Sequence, residues 1–323
     1  MYPETYLPYN KNVAPSIMVE GPMPATTEPP STQKAIDSGA AAGTGAPHLK
    51  WLVDTGQRLK TADGKTIAVW ELRHKKDAAV LSAWARHFRN HYCSDDDIDF
   101  LRGSQPRKDY LEKIKFPSST SKLGPSVRAG DFGEILIADC LQWTLGYSVP
   151  RVRWNAKIVR DESSKGSDVI GFYFHDETGT SPKDSLAVFE SKTSFSAAST
   201  ANRMQDAIND SAKDHIRIDE SLNYIKQRLY EKGDKEQAKK VERFQNPVDN
   251  PYREVFGAAA LYSTEHFDPS MVSAADTQKI PKSSKSDEFQ PHPNSDDLVL
   301  VVIKGKDMMT LVHELYRKAA DEA

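Results

Sequence analysis

Hydrophobic positions follow two kinds of spacing from about residue 48 to the C-terminus. Short apolar runs predict strands, and apolar positions three and four residues apart predict helices. The predicted strands are 49–53, 66–72, 147–154, 168–174, 186–192, 254–262 and 298–303, and the predicted helices are 78–92, 95–101, 109–114, 131–145, 198–230 and 306–320. This order predicts an α/β fold, in which a mixed central sheet is flanked by helices and carries hairpin and helical additions on its N-terminal side.

Local features refine four of these segments. The helix at 131–145 is apolar nearly all round, which predicts burial against the sheet. Pro150 interrupts the strand at 147–154 and therefore favours a sheet edge. The pattern does not fix where the helix at 198–230 ends, because the charged residues up to 244 also fit a solvated helix. Residues 263–297 are polar and contain proline, which predicts an excursion or partial disorder.

Composition divides the chain into a tail and one domain. Residues 1–47 are rich in Pro, Ala, Thr, Ser and Gly and contain few large apolar residues, so we expect a disordered tail followed by a single domain at 48–323. The formal net charge is -3, which gives no chain-wide basic footprint. A nucleic-acid partner therefore has to be sought in local basic patches.

Several other function classes find little support. The two cysteines do not suggest a disulfide framework, and no run of apolar residues is long enough to cross a membrane. We therefore expect a cytoplasmic protein without a membrane partner. His91 and Cys93 have no second ligand pair nearby, which disfavours a zinc site. The chain contains no phosphate-binding loop motif, so any ATP-driven step should come from another polypeptide.

A Glu-x-Lys motif ends one of the predicted strands. Glu190, Ser191 and Lys192 directly follow the apolar run Leu-Ala-Val-Phe. Residues two apart in a strand point to the same face, so Glu190 and Lys192 should project together. Asp168 begins the neighbouring strand and adds a second carboxylate. Such carboxylates suit Mg²⁺ or Mn²⁺, and a lysine beside the ion can orient or deprotonate the attacking water. This layout is typical of the PD-(D/E)xK nuclease core, with Asp168 and Glu190 as metal ligands.

Further charged residues flank this predicted centre. Glu134 lies in the first turn of the predicted helix at 131–145, where it either interacts with the helix dipole or supports the metal as a third catalytic acid. Both interpretations stay open. Five basic residues between 151 and 165 form either a phosphate-contacting flank or a solvated hairpin. Lys165 in this run and Arg203 near the start of the long helix are the predicted DNA contacts.

The stretch from Pro125 to Lys192 resembles the C-terminal domain family of HamA, the nuclease-like subunit of the bacterial Hachiman antiphage system. The resemblance rests on three segments, Arg128-Ala129-Gly130-Asp131-Phe132-Gly133-Glu134, Glu162-Ser163-Ser164-Lys165-Gly166-Ser167-Asp168 and Phe189-Glu190-Ser191-Lys192. It covers roughly residues 48–320. The resemblance implies a DNA nuclease that is paired with a superfamily-2 helicase, HamB. By residue match, it also implies that Glu190 and Lys192 are the catalytic Glu-x-Lys and that Asp168 is the upstream acid.

The sequence therefore predicts a metal-dependent deoxyribonuclease. Asp168 and Glu190 would bind Mg²⁺ or Mn²⁺, Lys192 would act on the water, and Glu134 would support the centre. The alternative is a catalytically silent subunit that uses the nuclease fold to bind DNA or to regulate a partner helicase. The presence of Asp168, Glu190 and Lys192 together favours the enzyme, since a silent subunit has no need of all three.

Overall fold

A six-stranded mixed sheet forms the centre of the computed structural model, which describes residues 46–196, 201–282 and 288–323. The strands are β1 (Leu52–Lys60), β2 (Thr66–Leu72), β3 (Val169–Tyr173), β4 (Ser185–Ser194), β5 (Arg253–Ser263) and β8 (Val299–Gly305), and β6 (Ile280–Pro281) and β7 (Phe289–Gln290) form a separate ribbon. The sheet order is β1-β2-β8-β5-β4-β3. The four central strands are parallel, and the edge strands β1 and β3 pair antiparallel with their neighbours. The predicted mixed α/β fold is confirmed.

Helices cover both faces of this sheet. They are α1 (Ala78–Tyr92), α2 (Asp95–Leu101), α3 (Arg107–Tyr110), α4 (Gly124–Asp139), α5 (Arg203–Glu231), α6 (Lys235–Val241), α7 (Pro269–Ser273) and α8 (Met308–Asp321). Helices α1, α4 and α8 share one hydrophobic core with one face of the sheet. Helices α5 and α6 share a second core with the opposite face. The central strands are therefore buried on both sides, which explains their continuous apolar runs.

The predicted bounds of several elements agree with the structure. Strand β2 and helices α1 and α2 begin and end at the predicted residues. The side chain of Ser94 accepts a hydrogen bond from the backbone N–H of Asp97 and so caps α2. The acidic first turn of α2 therefore belongs to a capped helix.

Other predicted elements differ from the structure. The strand predicted at 49–53 is mostly a 3-10 helix, Pro47–Trp51, and β1 begins at Leu52. The strand predicted at 147–154 is wrong. The segment makes only one isolated bridge, between Ser148 and Phe172. Pro150 lacks the N–H that would continue the pairing, which accounts for this short contact.

The two longest helices also have different ends from those predicted. Helix α4 begins at Gly124 rather than 131, with a proline in its first turn, where the missing N–H costs nothing. A single π-helical turn, Cys140–Thr144, follows it. Helix α5 ends at Glu231 because Gly233 adopts a left-handed conformation with φ of 83°. Residues 1–45 of the predicted tail and residues 283–287 of the predicted excursion lie outside the described residues.

A glycine lets α4 approach β4 closely. A Cβ atom at Gly133 would lie 2.7 Å from Cγ2 of Thr193 and 3.0 Å from Oγ of Ser191. Both distances are shorter than a normal contact, so only glycine fits without a shift. This close packing fixes the position of the adjacent Glu134 against the sheet.

Candidate functional site

Asp168, Glu190 and Lys192 meet at one end of the antiparallel β3–β4 pair. Val169 pairs with Phe189, so the next residues along each strand, Asp168 and Glu190, face each other. The Oδ2 atom of Asp168 accepts a hydrogen bond of 3.1 Å from the backbone N–H of Ser191. Lys192 Nζ lies 2.5 Å from Glu190 Oε1, as expected for side chains on one strand face. The structure thus brings the three predicted residues together.

Helix α5 adds two carboxylates that the sequence interpretation missed. Asp210 Oδ2 lies 2.7 Å from Lys192 Nζ. Asp214, one turn further on, is only 3% exposed, and its Oδ1 atom accepts a hydrogen bond of 3.0 Å from Ser167 Oγ. The Oδ2 atom of Asp214 is buried and has no hydrogen-bond partner among the described residues. The only signal in the sequence is the four-residue spacing of the two acids, which by itself is typical of a solvated helix.

Glu134 reaches the cluster through Arg153. The Nε atom of Arg153 donates to Glu134 Oε2 at 3.0 Å, and its Nη2 atom donates to Asp168 Oδ1 at 2.9 Å. Trp154 Nε1 also donates to Glu134, at 3.2 Å. Because α4 begins at Gly124, Glu134 lies in the interior of the helix, and the interpretation that it interacts with the helix dipole is wrong. Glu134 instead supports one side of a guanidinium whose other side holds Asp168.

Burial and crowding raise the pKa values of three carboxyl groups. Burial, and then the charge of Asp168, raise the pKa of Glu190 to about 10. Burial raises the pKa of Glu134 to about 8, against the opposing effect of Arg153. Burial and the charge of Asp168 raise the pKa of Asp214 to about 6. The cluster therefore holds more carboxylate oxygens than its own cations stabilise in the ionised form.

Lys192 shows the opposite balance. Burial acts to lower its pKa, but the charges of Glu190 and Asp168 and a hydrogen bond from Nζ to Asp210 hold the pKa above its ordinary value. The Lys192 side chain is 25% exposed, so water can reach the ammonium group. Lys192 is therefore a protonated hydrogen-bond donor between the two strands and helix α5.

Most of the predicted basic flank is turned inward. Arg153 holds the two acids described above, Lys157 lies 2.6 Å from both carboxylate oxygens of Asp131, and Arg151 Nη2 lies 2.7 Å from Asp139 Oδ1. These three residues form ion pairs with buried carboxylates, so the interpretation of the whole run as a phosphate-contacting flank does not hold. The solvated-hairpin alternative does not describe them either.

The two predicted DNA contacts lie in different surroundings. Lys165 is exposed and lines a cavity of about 750 Å³, together with Asp168 and with Arg217 and Tyr224 of helix α5. Arg203 does not line this cavity, and its Nη1 atom pairs with Asp206 at 3.0 Å. Lys165 therefore lines the same cavity as Asp168 of the cluster. Arg203 lies outside this cavity, in the first turn of α5.

A second polar cluster lies between α1 and α4. His87, His91 and Asp139 place possible ligand atoms within 4.8 Å of one another, although the sequence offered no partner for His91. Arg151 pairs with Asp139 and hydrogen-bonds to Nε2 of His91, and His48 Nε2 lies 2.9 Å from Asp139 Oδ2. A guanidinium thus already balances the buried carboxylate. Cys93 is not part of this group.

The fold and the cluster together define an α/β protein with an acid-rich centre at the edge of a mixed sheet. The sequence profile of the HamA family matches residues 47–319, which is most of the chain. The chain belongs to the HamA family, and this membership suggests a component of the Hachiman defence system. No curated protein matches the chain. In the described part of the chain, no helix combines the length and apolar character needed to span a membrane.

Proposed function

We propose that this protein is a metal-dependent deoxyribonuclease, the effector subunit of an antiphage system in which a superfamily-2 helicase of the HamB type is its partner. The observation that carries the proposal is the meeting of Asp168, Glu190 and Lys192 at one end of β3 and β4. This is the arrangement expected of a catalytic Glu-x-Lys and its upstream acid. The HamA family membership supports the defence context.

The donor chemistry of the acid-rich cluster suits a hard divalent cation, but its carboxylates would have to draw closer together to share one, since the group whose ligand atoms already lie within 4.8 Å of one another in the described residues is His87, His91 and Asp139. Asp168, Glu190 and Asp214 supply carboxylate oxygens, the donor type that Mg²⁺ and Mn²⁺ prefer. The buried Oδ2 atom of Asp214 has no hydrogen-bond partner among the described residues, and burial, followed by the charge of Asp168, raises the pKa values of Glu190 and Asp214. We assign these three residues as the metal-binding set. When bound, the ion would stabilise negative charge that develops on the phosphate during hydrolysis.

The side chains around this set would divide the remaining work. Lys192, held as an ammonium, would donate a hydrogen bond from Nζ to the attacking water and orient it toward phosphorus. Arg153 would keep Asp168 in place, because its guanidinium is fixed on the far side by Glu134. Glu134 is therefore a positioning residue in this scheme. In-line attack would leave a 3′-hydroxyl and a 5′-phosphate.

The cavity beside the cluster offers a path for the DNA strand. Lys165 and Arg217 line its wall, and the ring of Tyr224 is 40% exposed there. Basic side chains contact phosphates without regard to sequence, and an exposed aromatic ring can stack on a base. A strand along this wall would pass Asp168, which lines the same cavity.

A cleavage assay beside a binding assay tests the proposal. The wild type, alone or with its helicase, should cut DNA with Mg²⁺ or Mn²⁺ and stop in EDTA. The cleavage rate of Lys192→Ala should be at least about 100-fold lower than that of the wild type, as expected for a group that acts on the water. Its affinity for DNA should be unchanged. Glu190→Ala should lose metal binding as well. Asp219→Asn, which removes an exposed carboxylate from α5, serves as the matched control and should cut normally.

Two outcomes would count against the nuclease. Undiminished cutting by Lys192→Ala would exclude the assigned mechanism. A wild type that binds DNA but never cuts it, even with the helicase present, would favour the silent docking subunit instead. In that case the ion pairs of Arg153 would hold α4 against the start of β3, and the pair of Lys192 with Asp210 would hold β4 and helix α5 together.

A further inference from the structure

Arg128, the first residue of the Arg128–Glu134 motif, is a buried cation without a carboxylate partner. The residue is 7% exposed, its Nε atom donates to the carbonyl of Pro117 at 2.7 Å, and its guanidinium lies 4.5 Å from the centre of the Tyr316 ring. Its Nη1 atom lies 3.3 Å from Nδ1 of His313. Arg128 forms no ion pair with any described residue. Buried charges are normally paired, so this arrangement points to an anion that completes it.

The guanidinium of Arg128 lines a second cavity, of about 630 Å³, which is distinct from the cavity beside the acid cluster. Three further basic groups line it, those of Lys113, Arg160 and Arg317, and the loop Ser118–Thr120 adds hydroxyl groups. Residues of α4, of α8 and of the loops before and after α4 thus place hydrogen-bond donors around one space. Arginine forks and hydroxyl groups are the donors that proteins use for phosphate oxygens.

Lys113 pairs with Asp109 at 3.0 Å, so acidic groups offset part of the positive charge of this cavity. Glu112 also lines it, and Asp321 pairs with Arg317 at 3.0 Å. Asp161 accepts hydrogen bonds from the backbone of Ser118 and the side chain of Ser121, and the charges of Arg160 and Arg128 also help to hold its pKa below the ordinary value. Burial lowers the pKa of Arg128, and burial together with the charge of Arg128 lowers the pKa of His313. Burial is the main cause of both shifts, and Arg128 is the buried member of the set that has no ion pair with a described carboxylate.

We propose that this cavity binds a phosphate group, which Arg128 holds with Arg160 and Arg317. The volume of the cavity exceeds that of a single phosphate ion, so there is room for the remainder of a nucleotide beside the phosphate. The same chemistry serves a phosphate of a DNA strand and a free phosphate ion, and the experiment separates these sources. The site does not depend on the acid cluster and would bind its ligand in the absence of a divalent metal ion.

The test measures binding in EDTA, where cleavage cannot occur, with the full chain and at constant ionic strength. Titration calorimetry measures the binding of inorganic phosphate. Fluorescence anisotropy measures the binding of a 5′-phosphorylated and of a 5′-hydroxyl oligonucleotide. Arg317→Ala removes an exposed member of the site, so the fold should be kept. Arg73→Ala removes an exposed arginine that also pairs with a neighbouring acid, outside the cavity, and is the matched control. Arg128→Lys keeps the positive charge but removes the planar guanidinium that can donate two parallel hydrogen bonds.

We expect Arg317→Ala and Arg128→Lys each to weaken phosphate binding about tenfold, as for the loss of a charge-assisted contact, whereas Arg73→Ala leaves it unchanged. Tighter binding of the 5′-phosphorylated oligonucleotide would assign the site to a DNA end. Equal binding of both oligonucleotides, with a salt dependence that Arg317→Ala reduces by about one contact, would assign it to the DNA backbone. Binding of inorganic phosphate alone would assign a free ion. Wild type that binds phosphate no better than chloride or acetate would overturn the proposal.

Discussion

The carboxylate of Asp214 allows a direct test of the charge balance in the acid cluster. Asp214→Asn keeps the size of the side chain and an oxygen that can accept the hydrogen bond from Ser167 Oγ. It removes the ionisable group next to Asp168 and Glu190. In the metal-free wild type the pKa of Asp214 is raised from 3.8 to about 6, by burial and by the charge of Asp168. The folded protein therefore holds this proton more strongly than the unfolded chain does.

The sign of the pH effect follows from this difference. The contribution of Asp214 to stability is fully present below its unfolded pKa of 3.8 and is lost as the pH rises through about 6. The full shift corresponds to on the order of 3 kcal/mol. Asp214→Asn lacks this loss, so its free energy of unfolding should match that of the wild type near the unfolded pKa. It should exceed that of the wild type by up to about 3 kcal/mol at neutral pH.

Urea unfolding in EDTA across this pH range measures the effect, and a shared m-value allows the midpoints to be compared. Asp219→Asn, on an exposed position of the same helix, controls for the loss of a helix carboxylate. Saturating Mg²⁺ should shrink the difference, because the cation stabilises the ionised wild-type group. A difference that does not change with pH, or one that grows with Mg²⁺, would refute the account of the cluster as an excess of buried carboxylates.

Two further substitutions test the framework around the cluster. Gly133→Ala should destabilise the protein by about 1–3 kcal/mol, because its Cβ would lie 2.7 Å from Cγ2 of Thr193. Urea unfolding measures this loss. Gly130→Ala is the control, since a Cβ at Gly130 meets no atom within 4 Å. An equal effect at both glycines would contradict the close packing of α4 on β4. Asp139→Asn should lower the free energy of unfolding by about 3–5 kcal/mol, because it leaves the charge of Arg151 without its buried partner. The double variant with Arg151→Met should recover part of this loss. No recovery in the double variant would show that Arg151 is not the reason for the cost.

The strand period was sufficient to predict half of the candidate site. Glu190 and Lys192 lie two residues apart after an apolar run, and the strand geometry places them on one face. Asp168 followed from its position at the start of the neighbouring strand. These inferences succeeded because they depend on local spacing, which the sequence states directly. Their chemical roles stay a prediction.

The other half depends on tertiary contacts that local spacing does not encode. A sequence of mixed charges cannot distinguish an exposed lysine from one in a buried ion pair, so Lys157 and Arg153 were compatible with a phosphate-contacting flank and with a solvated hairpin, and the structure shows neither. The sequence pattern assigned no role to Asp214, because its burial depends on how α5 crosses the sheet. Two interpretations of Glu134 stayed open, because the turn that contains a residue depends on where its helix starts, and α4 begins at Gly124.

The most direct test of metal binding at the acid-rich cluster is anomalous diffraction from crystals of the full chain soaked in Mn²⁺. We predict a peak at the carboxylates of Asp168, Glu190 and Asp214, and its loss in Glu190→Ala crystals grown under the same conditions. Ordered crystals of wild type that cuts DNA in Mn²⁺, with no peak at these residues, would contradict the account. So would a peak found instead at His87, His91 and Asp139, whose possible ligand atoms lie within 4.8 Å of one another.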